Sequence, residues 1–197
     1  VPFRNQSDIP VFDTILPVAS LEQLYRANRY IGLDRIGDTD QLTFGVSTRL
    51  ATSDTGRTVL RATLGQTRYL STQSVILPGE ITQGGNSSDY IAELSLNFWG
   101  DWNVDLTQQW NTERDESTQS EFRLQYNPGD GRVVNVAYRF RRDAVDQGDI
   151  SWSWPIASQW NVVGRYNYSF LERASLERFV GVEYESCCWG LRIVSRR

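Results

Sequence analysis

From Gln41 onward the chain keeps a hydrophobic period of two. Leu42, Phe44, Val46 and Leu50 recur at alternate positions, as do Leu60, Ala62 and Leu64, then Tyr90, Ala92, Leu94, Leu96 and Phe98. The same beat runs through Trp102, Val104 and Leu106, through Phe122, Leu124 and Tyr126, and through Val134, Val136, Tyr138 and Phe140. It closes with Ile150, Trp152 and Trp154, then Trp160, Val162, Tyr166 and Tyr168, then Val180, Val182 and Tyr184, then Trp189, Leu191 and Ile193. Successive side chains of a strand point to opposite faces, so each set is one face of a strand. The pattern predicts about ten strands and no helix between them. The alternate face is polar: Arg49, Arg61, Glu93, Asp105, Arg123, Arg139, Arg141, Asp149, Arg165, Glu177 and Glu183 occupy it.

Alternation alone does not say which face is inside. A soluble barrel of the lipocalin kind turns its apolar set inward, whereas a membrane barrel turns it toward lipid and its polar set toward the lumen. No segment approaches the roughly 18 to 20 consecutive apolar residues of a spanning helix, and the first residues lack the layout of a signal peptide. Membrane barrels show no such runs either.

Two features favour the membrane reading. Tight links, at 51–56, 99–101, 127–131, 155–158 and 185–188, are expected to alternate with longer ones at 71–89, 111–118, 142–149 and 171–175. That is how periplasmic turns and extracellular loops alternate in an outer-membrane barrel. Rings also collect at strand ends. Trp99, Trp102, Tyr126, Trp154, Trp160, Tyr184 and Trp189 flank the tight links, while Tyr69, Tyr90, Trp110, Phe140 and Phe170 flank the longer ones. Indole and phenol favour the headgroup level, where the ring is dry and its N–H or O–H is wet. Nine residues or so separate the girdles at Tyr90 and Trp99, roughly 23 Å for a tilted strand.

Residues 1–40 break the period. Pro2, Pro10 and Pro17 interrupt the first stretch, and Ser20 then caps Leu21, Leu24 and Tyr25 at helical spacing, with Gly32 as a stop. The expectation is a long structured loop over 1–40, extracellular and able to fold into a lumen, followed by barrel strands over 41–197.

The chemistry such a chain can host is narrow. All 20 basic residues are arginine, and histidine, lysine and methionine are missing. Histidine-based triads and ordinary zinc sites therefore cannot be built from it, and it has no Gly-rich phosphate loop. No catalytic residue, metal site or cofactor is expected. A formal net charge of −4 points away from nucleic acid.

Cys187 and Cys188 are adjacent and are the 2 cysteines of the chain. On an extended backbone they point to opposite faces, and a ring between them is strained, so they are poorly placed to bridge one another. They are either small apolar fillers or partners for thiols elsewhere; a metal pair lacks further ligands. Arg61, Arg123, Arg139, Arg141 and Arg165 admit two readings as well. They are candidate anion contacts in a lumen, or rungs of cross-strand charge ladders with the carboxylates beside them.

Several segments carry a family likeness: "VPFRNQSDIPVFDT", "LYRANRYIGLDRIGDTDQL", "GQTRYL", "SWPIASQWNVVGRYNYSF" and above all "GVEYESCCWGLRI". Together they resemble the C-terminal part of the LptD family, outer-membrane lipopolysaccharide-assembly proteins of Gram-negative bacteria. The resemblance implies a portion of a barrel of about 26 strands. It also implies an N-terminal periplasmic jellyroll in the same protein, a plug lipoprotein, LptE, and a periplasmic Lpt bridge that delivers lipopolysaccharide. On that resemblance Cys187 and Cys188 would form disulfides with cysteines in or near the N-terminal periplasmic domain, in a compartment where disulfides persist. The rival expectations are a self-contained diffusion pore and a soluble ligand-binding β-barrel.

Overall fold

The computed structural model describes residues 10–17, 20–32, 34–38, 40–78 and 86–197. The quoted opening stretch, up to Ile9, lies outside the described residues. Ten antiparallel strands form one sheet in strict sequence order: β1 (Gln41–Ala51), β2 (Thr58–Tyr69), β3 (Tyr90–Phe98), β4 (Trp102–Asn111), β5 (Glu116–Tyr126), β6 (Val133–Arg141), β7 (Val145–Ala157), β8 (Trp160–Ser169), β9 (Ala174–Glu185) and β10 (Gly190–Arg196). The sheet is open, with β1 and β10 at its two edges.

Register keeps the two faces distinct. Leu60 pairs with Leu96, Leu94 with Leu106, Leu124 with Val136 and Val162 with Val182, apolar against apolar. On the other face Asp105 pairs with Arg123, Glu121 with Arg139 and Asn167 with Glu177. A one-residue slip anywhere would put charge among the apolar side chains, so the pattern itself fixes the pairing.

The apolar face is uncovered. Val46 is 74% exposed, Phe44 60% and Ile193 60%, and Leu42, Leu64, Leu106, Ile150 and Val180 are exposed with them. Among the described residues the buried hydrophobics are Tyr30, Val75 and Ile91, none of them on that face. A continuous bare stripe of this kind is what a lipid-facing wall presents, and a soluble barrel would have buried it. Ten strands in strict sequence order, bare on one face and charged on the other, have the build of a segment of a transmembrane antiparallel β-barrel.

Chain segments pack on the polar face instead. That face is also troughed: one pocket of about 440 Å³ is lined from Val133 and Asn135 on β6 across to Arg192 and Val194 on β10. In a flat sheet those strands would stand roughly 19 Å apart.

Link lengths differ from expectation. The strands run further than the composition suggested, leaving 112–115, 142–144 and 170–173 as tight turns. Asp115, Asp143 and Arg173 adopt positive φ there, which compresses each turn at some backbone cost. Only 70–89 and the stretch before β1 remain long on that end of the sheet. Residues 116–118 and 145–149 are strand residues at the strand ends, where both faces carry polar or small side chains and the apolar alternation stops, which is why they read as loop.

Candidate functional site

The meander sorts every connection to one of two ends. Turns 52–57, 99–101, 127–132, 158–159 and 186–189 lie at one end, and the stretch before β1, with 70–89, 112–115, 142–144 and 170–173, lies at the other.

At the second end the expected helix forms, as a single turn, α1 (Leu21–Leu24), with Ser20 as its cap: the Ser20 hydroxyl accepts from Gln23 N–H at 3.3 Å. It lies on the polar face of β1–β3. Leu21 N–H donates to Glu93 Oε1 at 2.9 Å, and Thr43 Oγ1 donates to the carbonyl of Leu24 at 3.0 Å. The seat consists of two glycines. A Cβ on Gly45 would lie 2.2 Å from Tyr25 Oη, and one on Gly65 would lie 2.4 Å from Leu21 Cδ1. Side chains at either position would hold the helix off the wall.

The rest of the loop is clamped to the segment after β2. Tyr30 Oη donates to the carbonyl of Val75 at 2.9 Å, and Arg29 reaches Gln73 and the same carbonyl. Asp38 accepts from the N–H groups of Ser74 and Val75. Burial alone would raise the Asp38 carboxyl, but those N–H groups outweigh it and hold its pKa below the usual range. At the ends of β3–β5, buried Asp89 accepts from Gln109, Asn111 and Thr118 at 2.7 to 2.8 Å. Sequence reasoning missed this hub, because a lone Asp before a strand resembles any turn residue.

The structure divides the five candidate arginines. Arg165 donates to Asp149 at 2.8 Å and to Glu177 at 2.9 Å, and Arg196 joins Glu177 at 2.9 Å. Glu121 stands between Arg123 at 3.3 Å and Arg139 at 3.8 Å. Arg192 pairs with Glu183. Arg123, Arg139 and Arg165 are thus rungs of a charge ladder across β5–β10. Arg61 and Arg141 make no ion pair among the described residues, and Arg61 stands directly opposite Arg49 in the β1–β2 register.

Cys187 and Cys188 sit at the other end of the sheet, in the β9–β10 turn. Ser186 N–H donates to the carbonyl of Trp189 at 3.0 Å, closing that turn around the pair. The backbone is therefore not extended there, and the expectation that the thiols diverge is corrected: the sulfurs lie 3.0 Å apart, both exposed, both free. Their contact holds the Cys188 thiol above its ordinary pKa. Rings collect at the same end of the sheet. Tyr184 packs on Trp189 at 4.8 Å and on Trp160 at 5.0 Å between centroids, and Trp102 packs on Tyr126 at 4.6 Å. The girdle at the cysteine end is thus a set of contacting pairs.

A family profile described as "LptD: LPS transport system D" matches residues 1–169. The chain belongs to the LptD family. It is 39% identical over its whole length to the LPS-assembly protein LptD of Thiobacillus denitrificans, of which it spans 27%. It is 38% identical to that of Nitrosococcus oceani, spanning 27%, and 35% identical to that of Pseudomonas aeruginosa, spanning 25%. The chain thus spans about a quarter of the length of the curated LptD relatives it matches.

Proposed function

We propose that this chain forms part of the wall of an outer-membrane barrel that delivers lipopolysaccharide to the outer leaflet. What supports the reading is a bare apolar face and a charged, loop-covered face on the same ten-stranded sheet, in a member of the LptD family. Acyl chains of the bilayer meet the apolar face. Sugars pass along the polar one. The task is positional and electrostatic, with no covalent chemistry assigned to any side chain.

The loop over 1–40 is then extracellular, with α1 as an inward-folded piece of it, and the turn bearing Cys187 and Cys188 is periplasmic. In that oxidising space the two thiols bridge to cysteines in or near the N-terminal periplasmic domain of the full-length protein. LptE and the periplasmic Lpt bridge are its partners in the same scheme, and the cell outer membrane its location.

Depletion of the full-length protein in a Gram-negative cell tests the reading: newly made lipopolysaccharide should stop reaching the surface, and unchanged surface labelling would refute it. For the cysteines, reducing and non-reducing gels of the full-length protein should differ, and the difference should vanish when Cys187→Ser and Cys188→Ser are combined. A difference that persists in the double variant removes the disulfide assignment.

A further inference from the structure

Among the described residues the arginines on the polar face of β5–β10 are paired with carboxylates, apart from Arg141 at the tip of β6; the unpaired arginines that face each other are Arg49 and Arg61. Arg49 and Arg61 are register partners on β1 and β2, so their Cβ atoms are about 5 Å apart on one face. Neither side chain makes an ion pair or hydrogen bond among the described residues, whereas the side chains of Arg123, Arg139, Arg165, Arg192 and Arg196 all form ion pairs. Like charges directly opposite each other in a sheet disfavour the pairing unless something negative lies between them.

Arg49 and Arg61 line a pocket of about 480 Å³ between the wall and α1, together with Ser47, Thr63 and Glu93. Glu93 is already engaged by Leu21 N–H and the Thr63 hydroxyl. Glu22 lines the same space from the helix side, so it belongs to the loop and not to the wall. A planar guanidinium presents a fork of paired donors that fit a phosphate or carboxylate bidentately, and two arginines on opposed residues of one pocket are close enough to share one tetrahedral or planar anion.

We infer that Arg49 and Arg61 form an anion station, a seat for a phosphate or carboxylate group in the pocket beneath α1. The inference rests on the transport reading for its natural occupant, an anionic group carried on a lipid-linked sugar. Free inorganic phosphate shares the chemistry.

The test uses the full-length protein in cells, with a photo-crosslinking residue at Ser47, inside the pocket, or at Asn135, elsewhere on the polar face. Lipopolysaccharide should crosslink at both positions. Combining Arg49→Gln with Arg61→Gln should lower the Ser47 yield roughly tenfold, the loss of charge-assisted hydrogen bonds, and leave Asn135 unchanged. Arg49→Lys with Arg61→Lys keeps the charge but loses the forks, and should fall between. Phosphatase-treated lipopolysaccharide, given to the purified protein, should lose the Ser47 signal selectively if phosphate is the group held; if it does not, carboxylate is. Competition by millimolar inorganic phosphate would make the free anion the occupant of the same seat.

An unchanged Ser47 yield in the glutamine double variant, with normal heat-dependent gel mobility to show a folded barrel, overturns the inference. So does crosslinking at Asn135 with none at Ser47, which leaves the transport reading intact. No crosslinking at either position fails both.

Discussion

Trp152 fills the space that a side chain on Gly164 would occupy. The two are register partners on β7 and β8, and a Cβ on Gly164 would fall 2.2 Å from the indole ring. The ring thus lies over bare backbone on the apolar face. Gly164→Ala should displace it and cost about 1 to 3 kcal/mol. Denaturant titration of the refolded full-length barrel, read by tryptophan fluorescence, checks this; an unchanged midpoint would mean that the ring has room to move.

Arg165 carries two carboxylates at once, Asp149 and Glu177. Arg165→Gln should destabilise the barrel by about 1 kcal/mol, because it leaves two partly covered carboxylates on neighbouring strands without their shared counter-charge. The loss should shrink at high salt. Arg61→Gln, which relieves a like-charge pair, should change stability by less than about 0.5 kcal/mol in either direction. The two variants, titrated side by side, separate a rung of the ladder from a residue outside it.

Gly65 is where the wall admits α1. Gly65→Val should unseat Leu21 and Leu24, whose methyls occupy that space, without disturbing the strand. Limited trypsin cleavage after Arg26 should become faster, and single-channel conductance in planar bilayers should rise. Equal cleavage rates in the variant and the unsubstituted protein would mean that the helix is held elsewhere.

Asp38 ties the loop to Ser74 and Val75, and its pKa is depressed in the folded protein. A depressed carboxyl contributes stability above its unfolded pKa, near 3.9, and loses it as pH falls through the lower folded value. Amide exchange at Ser74 and Val75 should therefore stay slow from neutral pH down to about pH 4 and speed up below that, beyond the intrinsic rate. Asp38→Asn should abolish the acid step. A profile that is flat relative to intrinsic exchange would show that Asp38 is not needed and that contacts such as those of Arg29, Tyr30 and Arg35 hold the clamp.

Strand faces were legible because the period of two is enforced on both sides of the wall: Leu124 faces Val136 as cleanly as Glu121 faces Arg139. The capped turn at Ser20 was legible for the same kind of reason, since a hydroxyl before Leu21 and Leu24 is a local signal. Three things were not. Turns 112–115, 142–144 and 170–173 looked long, because polar residues on both faces continue the strands to their tips, past the point where the apolar alternation stops. The turn at 186–189 brought together two sulfurs that extended geometry would separate. The division of the arginines into ladder and unpaired members depends on register, which places Glu121 beside Arg139 but Arg49 beside Arg61, and no one-dimensional spacing distinguishes those outcomes.

Each strand of this sheet hydrogen-bonds only to the strands next to it in sequence. A wall of that kind can be laid down one hairpin at a time, since no rung waits for a distant stretch of chain and ring closure across even the 70–89 connection grows only logarithmically with its length. α1 is the exception. Its docking contacts come from β1, β2 and β3, so it has nowhere to settle until all three are in place, and the inward fold of the loop reports that this first part of the wall has paired.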